Sequence, residues 1–473
     1  MPSSASRSEP YPLDPRFYDE AFAESGRPHR HYEPLFAELE QAHLGELRDT
    51  SRDEVREREI TFGTEAGEMA FTVDPVPRII PATEWDELER GLIQRVRALN
   101  AFIADVYSER DIIRAGRVPA RVVEGAAHFE PRMRDVHVPH DAYATVAGLD
   151  LVRGTDGRLR VLEDNLRTPS GLAYVAAARD VVDASLDWMS LPARRSPDEG
   201  FELLGEALRA AAPDGREDPF VVLLSDGPGN SAWYEHRILA ARLDVPLVTL
   251  DDLEHRAGAL WARVGAGARQ VDVAYRRTDI DYLEEDRGGL TALGEALLEP
   301  IHSRRLACVN AFGSGVADDK LVHAYVEDMV RFYLDEEPTM NSVPTYDLAE
   351  PAVRREALGR LDELVVKPRT GHGGHGVVVC PHAEPEDVRR IAEAIRARPE
   401  YYIAQETVML SRHPTVCNER LVPRHVDLRP FIITVGERVA VVPGGLTRVA
   451  FDAGAMVVNS SQKGGGKDTW VLT

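Results

Sequence analysis

An acidic hairpin is where residue type and spacing in this chain first imply chemistry. Asp150 and Glu163 flank Asp156-Gly157, a dipeptide that signals a two-residue hairpin turn. With those two residues as the loop, Thr155 pairs with Arg158, Val152 with Val161, and Asp150 falls opposite Glu163. Like charges directly opposed on a sheet destabilise it. Asn165, two residues beyond Glu163, projects from the same face. Two carboxylates and a carboxamide oxygen at one point form a hard-oxygen site suited to magnesium. The alternative is a solvated hairpin whose charges never meet.

The lysines offer a second signal. Only Lys320, Lys367, Lys463 and Lys467 occur, nearly every other cation being arginine. All four lie in or beside segments with glycines or paired aspartates. Lysines retained there fit places where a planar guanidinium cannot replace a compact ammonium, as against a phosphate.

Lys367 ends an apolar run and is followed by Gly371, Gly373, Gly374 and Gly376. The G-x-G-x-x-G spelling is met, but a dinucleotide-binding turn needs a helix next. Val377 to Cys380 reads as another strand. Strand, glycine loop, strand describes a lid over phosphates, with backbone N–H groups as donors. The Gly464–Lys467 run lacks the first P-loop glycine, Ser461 standing there. Gln405, Glu406 and Val408 close a short apolar strand, where backbone atoms could meet an adenine edge. An ordinary strand end reads equally well. Arg429, in Asp427-Leu-Arg429, could balance phosphate or acyl-phosphate charge, or pair with Asp427. Ser231 follows a Gly-Pro-Gly turn and is placed to cap a helix to Leu243, whose N-terminus could hold an anion. Ser170 has no G-x-S-x-G elbow, which argues against a serine hydrolase. His372, His375 and His382 lack a carboxylate partner and do not read as a metal site.

These residues need elements to position them. Residues 1–100 read as a mostly helical region, with Thr83 as an N-cap and Leu88, Leu92, Ile93, Val96 and Leu99 at helical spacing. Residues 101–195 carry the metal hairpin, with strands expected over 122–171 and a helix over 172–187. Residues 196–305 form an α/β unit: a strand at 220–224, a helix to 243 and a strand at 246–250 suggest a parallel sheet. Residues 306–473 hold the lysines, the glycine lid and short strands, with 318–320 opening a helix that ends near 334.

Lys+Arg number 56 and Asp+Glu 79, a net charge of −23. Such a surface repels nucleic acid and anionic membrane. Three scattered cysteines without a CxxC pair fit a reducing, cytoplasmic setting, and the N-terminus has no apolar run of a secretory signal.

Together these motifs resemble the ATP-grasp superfamily, which pairs a lysine and a glycine lid with an Asp … Glu-x-Asn metal set. Here the metal set precedes the lid by some two hundred residues, as in circularly permuted ATP-grasp proteins resembling glutathionylspermidine synthetase. The stretches 161–171, 275–279, 310–315 and 459–470 are similar to that group. The resemblance implies an α/β (α+β) fold with a βαβ pre-ATP-grasp-like domain, ATP and Mg2+ as cofactors, and small-molecule or peptide carboxylate and amine substrates. It implies a carboxylate–amine ligase working through an acyl phosphate. Lys320 and Lys367 would bind phosphates. Arg167 would hold the acyl phosphate, with Ser170, Ser231, Arg276 and Asn310 as further substrate contacts. A phosphotransferase, or a nucleotide-binding protein without turnover, are the alternatives.

Overall fold

The apolar stripe after Pro81 becomes one long helix, Ala82–Val106, in a computed structural model that describes residues 11–64, 67–285, 288–371, 376–452 and 465–473. Leu88, Leu92, Val96 and Leu99 are buried, and the stripe continues through Phe102, Ile103 and Val106. The spacing of three and four residues puts these side chains on one face, against helix Val326–Leu334. Pro81 holds the N-cap position, so Thr83 lies inside the first turn and is not the cap. The helix passes through residue 100 without a break.

Residues before this helix are less helical than expected. Strands Thr61–Thr64 and Gly67–Ala70 form a hairpin, and Val73–Ile80 is a fully buried strand. That strand runs parallel to Gly465–Val471 near the other end of the chain, which also pairs with Thr447–Val449. Strand structure over 122–171 is confined to Val146–Arg153 and Leu159–Asn165, with helical turns before them.

Two antiparallel sheets position the site. The first has the order Arg438–Val441, Phe431–Val435, Val146–Arg153, Leu159–Asn165. Its middle pairing joins residues almost three hundred positions apart. The second has the order Thr345–Asp347, Tyr402–Glu406, Leu364–Pro368, Val378–Val379. The strands flanking the glycine segment therefore pair as expected, Val366 opposite Val378.

The α/β unit also matches expectation. Strands Ala307–Val309, Val273–Arg277, Val221–Ser225 and Leu247–Val248 form a parallel sheet in that order. The 318–320 segment opens into 3₁₀ turns, and the helix proper is Val326–Leu334.

Candidate active site

Glu163 does pair with Asp150, though the turn is not the one expected. The loop is wider than two residues: Arg153 pairs with Leu159 and Val152 with Arg160. A bulge between Leu151 and Asp150 then shifts the register by one and restores the Asp150–Glu163 pair. Longer turn and bulge offset each other.

Both carboxylates, with Asn165, line a cavity of about 510 Å³ between the two sheets. The expected repulsion is answered by separate cations. Asp150 takes Arg429 through both oxygens, Nε–Oδ1 2.6 Å and Nη2–Oδ2 2.9 Å, and Arg448 at 2.9 Å. Burial alone would raise the Asp150 carboxyl, but the two arginines hold it down at about 2. Glu163 takes Lys320 at 2.7 Å. Burial opposes its ionisation too, and Lys320 with Lys367 keeps its pKa below the ordinary value.

Lys320 also donates to the Gly371 carbonyl at 2.8 Å, tying the lysine to the start of the glycine segment. Gly371 and Gly376 both have positive φ, at 113° and 73°. Gly373 and Gly374, like His372 and His375, lie outside the described residues. Lys367 is buried and donates to the Gln405 Oε1 at 2.6 Å. Burial lowers its pKa, with Glu163 pulling the other way. Gln405 is thus a holder of the lysine, its Nε2 being tied to Thr345 at 2.9 Å. The Glu406 side chain pairs with Arg360 and Tyr346. Val408, Val152, Leu162, Val365 and Val379 make this end of the cavity apolar. The buried Thr407 Oγ1 there has no partner.

Arg167 and Ser170 line the other end. Arg167 donates through Nε to Asp318 at 3.2 Å, and Asp318 also receives the backbone N–H of Arg167 at 3.1 Å. The Ser170 hydroxyl accepts from Arg277 at 2.6 Å, and the Ser170 carbonyl from Arg429 at 3.3 Å. Ser231 reaches the cavity but is not a cap: the helix is Trp233–Leu243, and the Asn230 side chain accepts from the Ala232 N–H at 2.9 Å.

Several expectations need correction. Arg276 is fully buried away from the cavity, paired with Asp281 and stacked 4.2 Å over Phe312. Asn310 is a clamp: its amide joins the backbone of Val146, Leu166 and Arg167. Neither lines the cavity. Lys467 sits inside a buried strand, its ammonium held by Asp74 and two carbonyls, so it is no phosphate ligand. Lys463 and residues 459–462 lie outside the described residues. Arg429 pairs with Asp150, and Arg448 is the partner of Asp427.

Sequence reasoning missed Arg448, Asp318 and Arg277. Arg277 and Asp318 lie inside stretches named above and Arg448 in none, and in each case a partner is remote in sequence: Asp318 meets Arg167, Arg277 meets Ser170 and Arg448 meets Asp150, which leaves no local signal.

Glu163 and Asn165 fit a hard cation. They share a strand face two residues apart, and the buried Asn165 Nδ2 has no partner, so no hydrogen bond from that nitrogen fixes the amide, whose Oδ1 is the atom that would serve. Asp150 fits only if Arg429 moves off it. Among the described residues no three His, Cys, Asp or Glu side chains gather as a metal centre. No helix of the described residues is long and apolar enough to cross a membrane.

Comparison with known proteins shows the family. The family model described as circularly permuted ATP-grasp type 2 matches residues 77–450. A Synechocystis sp. protein is 41% identical over 467 residues, spanning 96% of this chain and 97% of that protein. A Frankia casuarinae protein provisionally named glutamate--cysteine ligase 2-2 is 44% identical over 466 residues. That match covers 97% of this chain but 54% of the Frankia protein, so its name describes a longer molecule. Among solved structures, a glutathione synthetase-like effector from Globodera pallida has a TM-score of 0.58 over 93% of this chain and 98% of that one. At 11% identity it speaks to fold alone.

Proposed function

Because the chain belongs to the circularly permuted ATP-grasp type 2 family, and is thereby an ATP-dependent ligase, we propose that it joins a carboxylate to an amine through an acyl phosphate. The observation that carries this reading is the convergence, in one cavity, of two lysines, the Glu163–Asn165 face and the arginines Arg167, Arg429 and Arg448.

ATP lies with its base against Val152, Leu162, Val365 and Val408, near the chain edge at 406–408. Lys367 and Lys320 take the phosphates, with Gly371, whose carbonyl accepts from Lys320, beside them. Magnesium held by Glu163 and Asn165, when bound, neutralises phosphate charge. An oxygen of the substrate carboxylate attacks the γ-phosphorus. The bond to the β-γ bridging oxygen breaks, and ADP leaves. The amine nitrogen then attacks the acyl carbon, phosphate departs with the former carboxylate oxygen, and the surplus ammonium proton passes to solvent.

The substrate carboxylate takes Arg429, whose guanidinium stands between Asp150 and the Ser170 carbonyl. An incoming anion exchanges with Asp150 for Arg429, and this frees a carboxylate oxygen beside Glu163. Arg167, steadied by Asp318, stabilises charge on the acyl phosphate. Enclosure keeps water from the intermediate.

Release of ADP is the test, measured against pooled amino acids, peptides and polyamines, with each pool also split into acids and amines. A ligase requires both partners. ADP formed with an acid alone, unaffected by any amine and accompanied by a stable phosphorylated product, would make the protein a phosphotransferase instead.

A further inference from the structure

The family match begins at residue 77, yet part of the cavity wall is built by residues before it. Phe62 lies in the Thr61–Thr64 strand of the N-terminal hairpin, and Phe71 directly follows its second strand. Both line the cavity with Tyr174 from helix Leu172–Ser185. The Phe71 and Tyr174 rings pack with centroids 5.1 Å apart. The Tyr174 hydroxyl donates to the Thr61 carbonyl at 2.8 Å, so the polar end of this ring is satisfied within the protein.

Leu446 joins this wall to the reacting end. It exchanges two backbone hydrogen bonds of 2.9 Å with Arg429. It also lies beside Phe71: a Cβ built on Gly466 would sit 3.0 Å from the Phe71 ring and 3.3 Å from Leu446. The cavity wall thus passes from a guanidinium to an aliphatic side chain to the aromatic rings of Phe71, Tyr174 and Phe62. A hydrophobic wall at that distance from an anion-binding arginine discriminates by the apolar body of an acid.

The hairpin that carries Phe62 is seated firmly. The Gly63 N–H donates to the Ser231 carbonyl at 2.8 Å. A Cβ at Gly63 would stand 2.6 Å from the Ser231 Cα, a backbone atom that cannot yield.

Resting on the ligase reading, we propose that this hairpin with Phe71 and Tyr174 forms a specificity wall, and that the carboxylate substrate bears an apolar, ring-sized body. A polyamine, or a second carboxylate on the acid, would meet aromatic rings there in place of a charged partner.

Hydroxylamine traps an activated carboxylate as a hydroxamate, which removes the unknown amine from the test. The protein with ATP and magnesium is given 3-phenylpropionate, phenylalanine, tryptophan or leucine in one set, and acetate, aspartate or glutamate in the other. We expect kcat/KM for the apolar set to exceed the polar set by about tenfold or more, and Phe62→Ala and Gly63→Ala each to remove most of that preference. Phe62 is half-buried and packs on the margin of the core, so its truncation removes no fully buried side chain. KM for ATP should stay within about twofold in both variants. Binding of 3-phenylpropionate by titration calorimetry, with a non-hydrolysable ATP analogue present, should weaken in parallel. Equal rates for glutamate and phenylpropionate, or a preference that survives both variants, would overturn the wall while leaving the ligase reading intact. No hydroxamate from any acid, with the ATP analogue still binding, would overturn the ligase reading and the wall with it.

Discussion

Replacing Glu163 by Gln separates the two roles the structure gives this residue. From sequence alone, removing one of two opposed carboxylates relieves repulsion, so the stability of the nucleotide-free protein should hold or rise. The structure reverses that sign. Asp150 is already neutralised by Arg429 and Arg448, while Glu163 is the partner of Lys320 at 2.7 Å and supports the charge on Lys367. A charge-assisted hydrogen bond contributes about 1.5–3 kcal/mol, and the neutral amide keeps about 0.5–1.5 of that. The Glu163 side chain is 28% exposed, so solvent screening reduces the difference. The expected loss is about 1 kcal/mol. Its pH dependence follows from the direction of the shift. The carboxyl is depressed in the folded state, so its contribution is present above the unfolded value of about 4.3 and is lost as pH falls through the lower folded value. Urea unfolding of both proteins at pH 7 and pH 3.5 reads this difference. Turnover should fall about 10²- to 10³-fold, and magnesium should no longer strengthen ATP binding in titration calorimetry. A variant that is more stable than the parent at pH 7, or that keeps magnesium-stimulated turnover, refutes the reasoning.

Lys367→Arg keeps the charge but crowds a buried site beside Gln405, so ATP affinity should drop by about tenfold or more in a nucleotide-binding titration. Because burial lowers the Lys367 pKa, wild-type ATP affinity should weaken as pH rises toward 10, before an ordinary lysine deprotonates. A series of dissociation constants from pH 7 to 10 checks this. Lys467→Met breaks a buried pair with Asp74 and should cost about 3–5 kcal/mol in denaturant unfolding, while ATP affinity per folded molecule is unchanged. Asn310→Ala removes a backbone clamp and should lose about 2–4 kcal/mol of stability without a selective rise in substrate KM, as a clamp requires and a substrate ligand would not.

Much of the architecture was legible because it is written locally. The alternation of apolar and glycine-rich runs around Lys367 gave both flanking strands, and the strand–helix–strand run after residue 220 gave the parallel sheet. The acidic pair was found through a turn that is not there, since the bulge midway along the ladder restored the register. What escaped was long-range. Val73–Ile80 was hidden because Asp74, Pro75, Pro77 and Arg78 break its apolar pattern, and its partner strand lies almost four hundred residues away. Arg276 and Asn310 were read as substrate contacts because motif spelling does not separate a residue that touches substrate from one that holds the backbone in place. Of the lysines, Lys320 and Lys367 line the cavity, while the Lys467 ammonium answers a buried aspartate.

The central claim is that the substrate carboxylate itself attacks ATP. Acids that support ADP release can be labelled with ¹⁸O in both carboxylate oxygens, and the released phosphate examined by mass spectrometry. An acyl-phosphate route moves one labelled oxygen from each carboxylate into inorganic phosphate for every amide formed. Phosphate that carries no label, from a reaction that consumes the labelled acid, would contradict the mechanism.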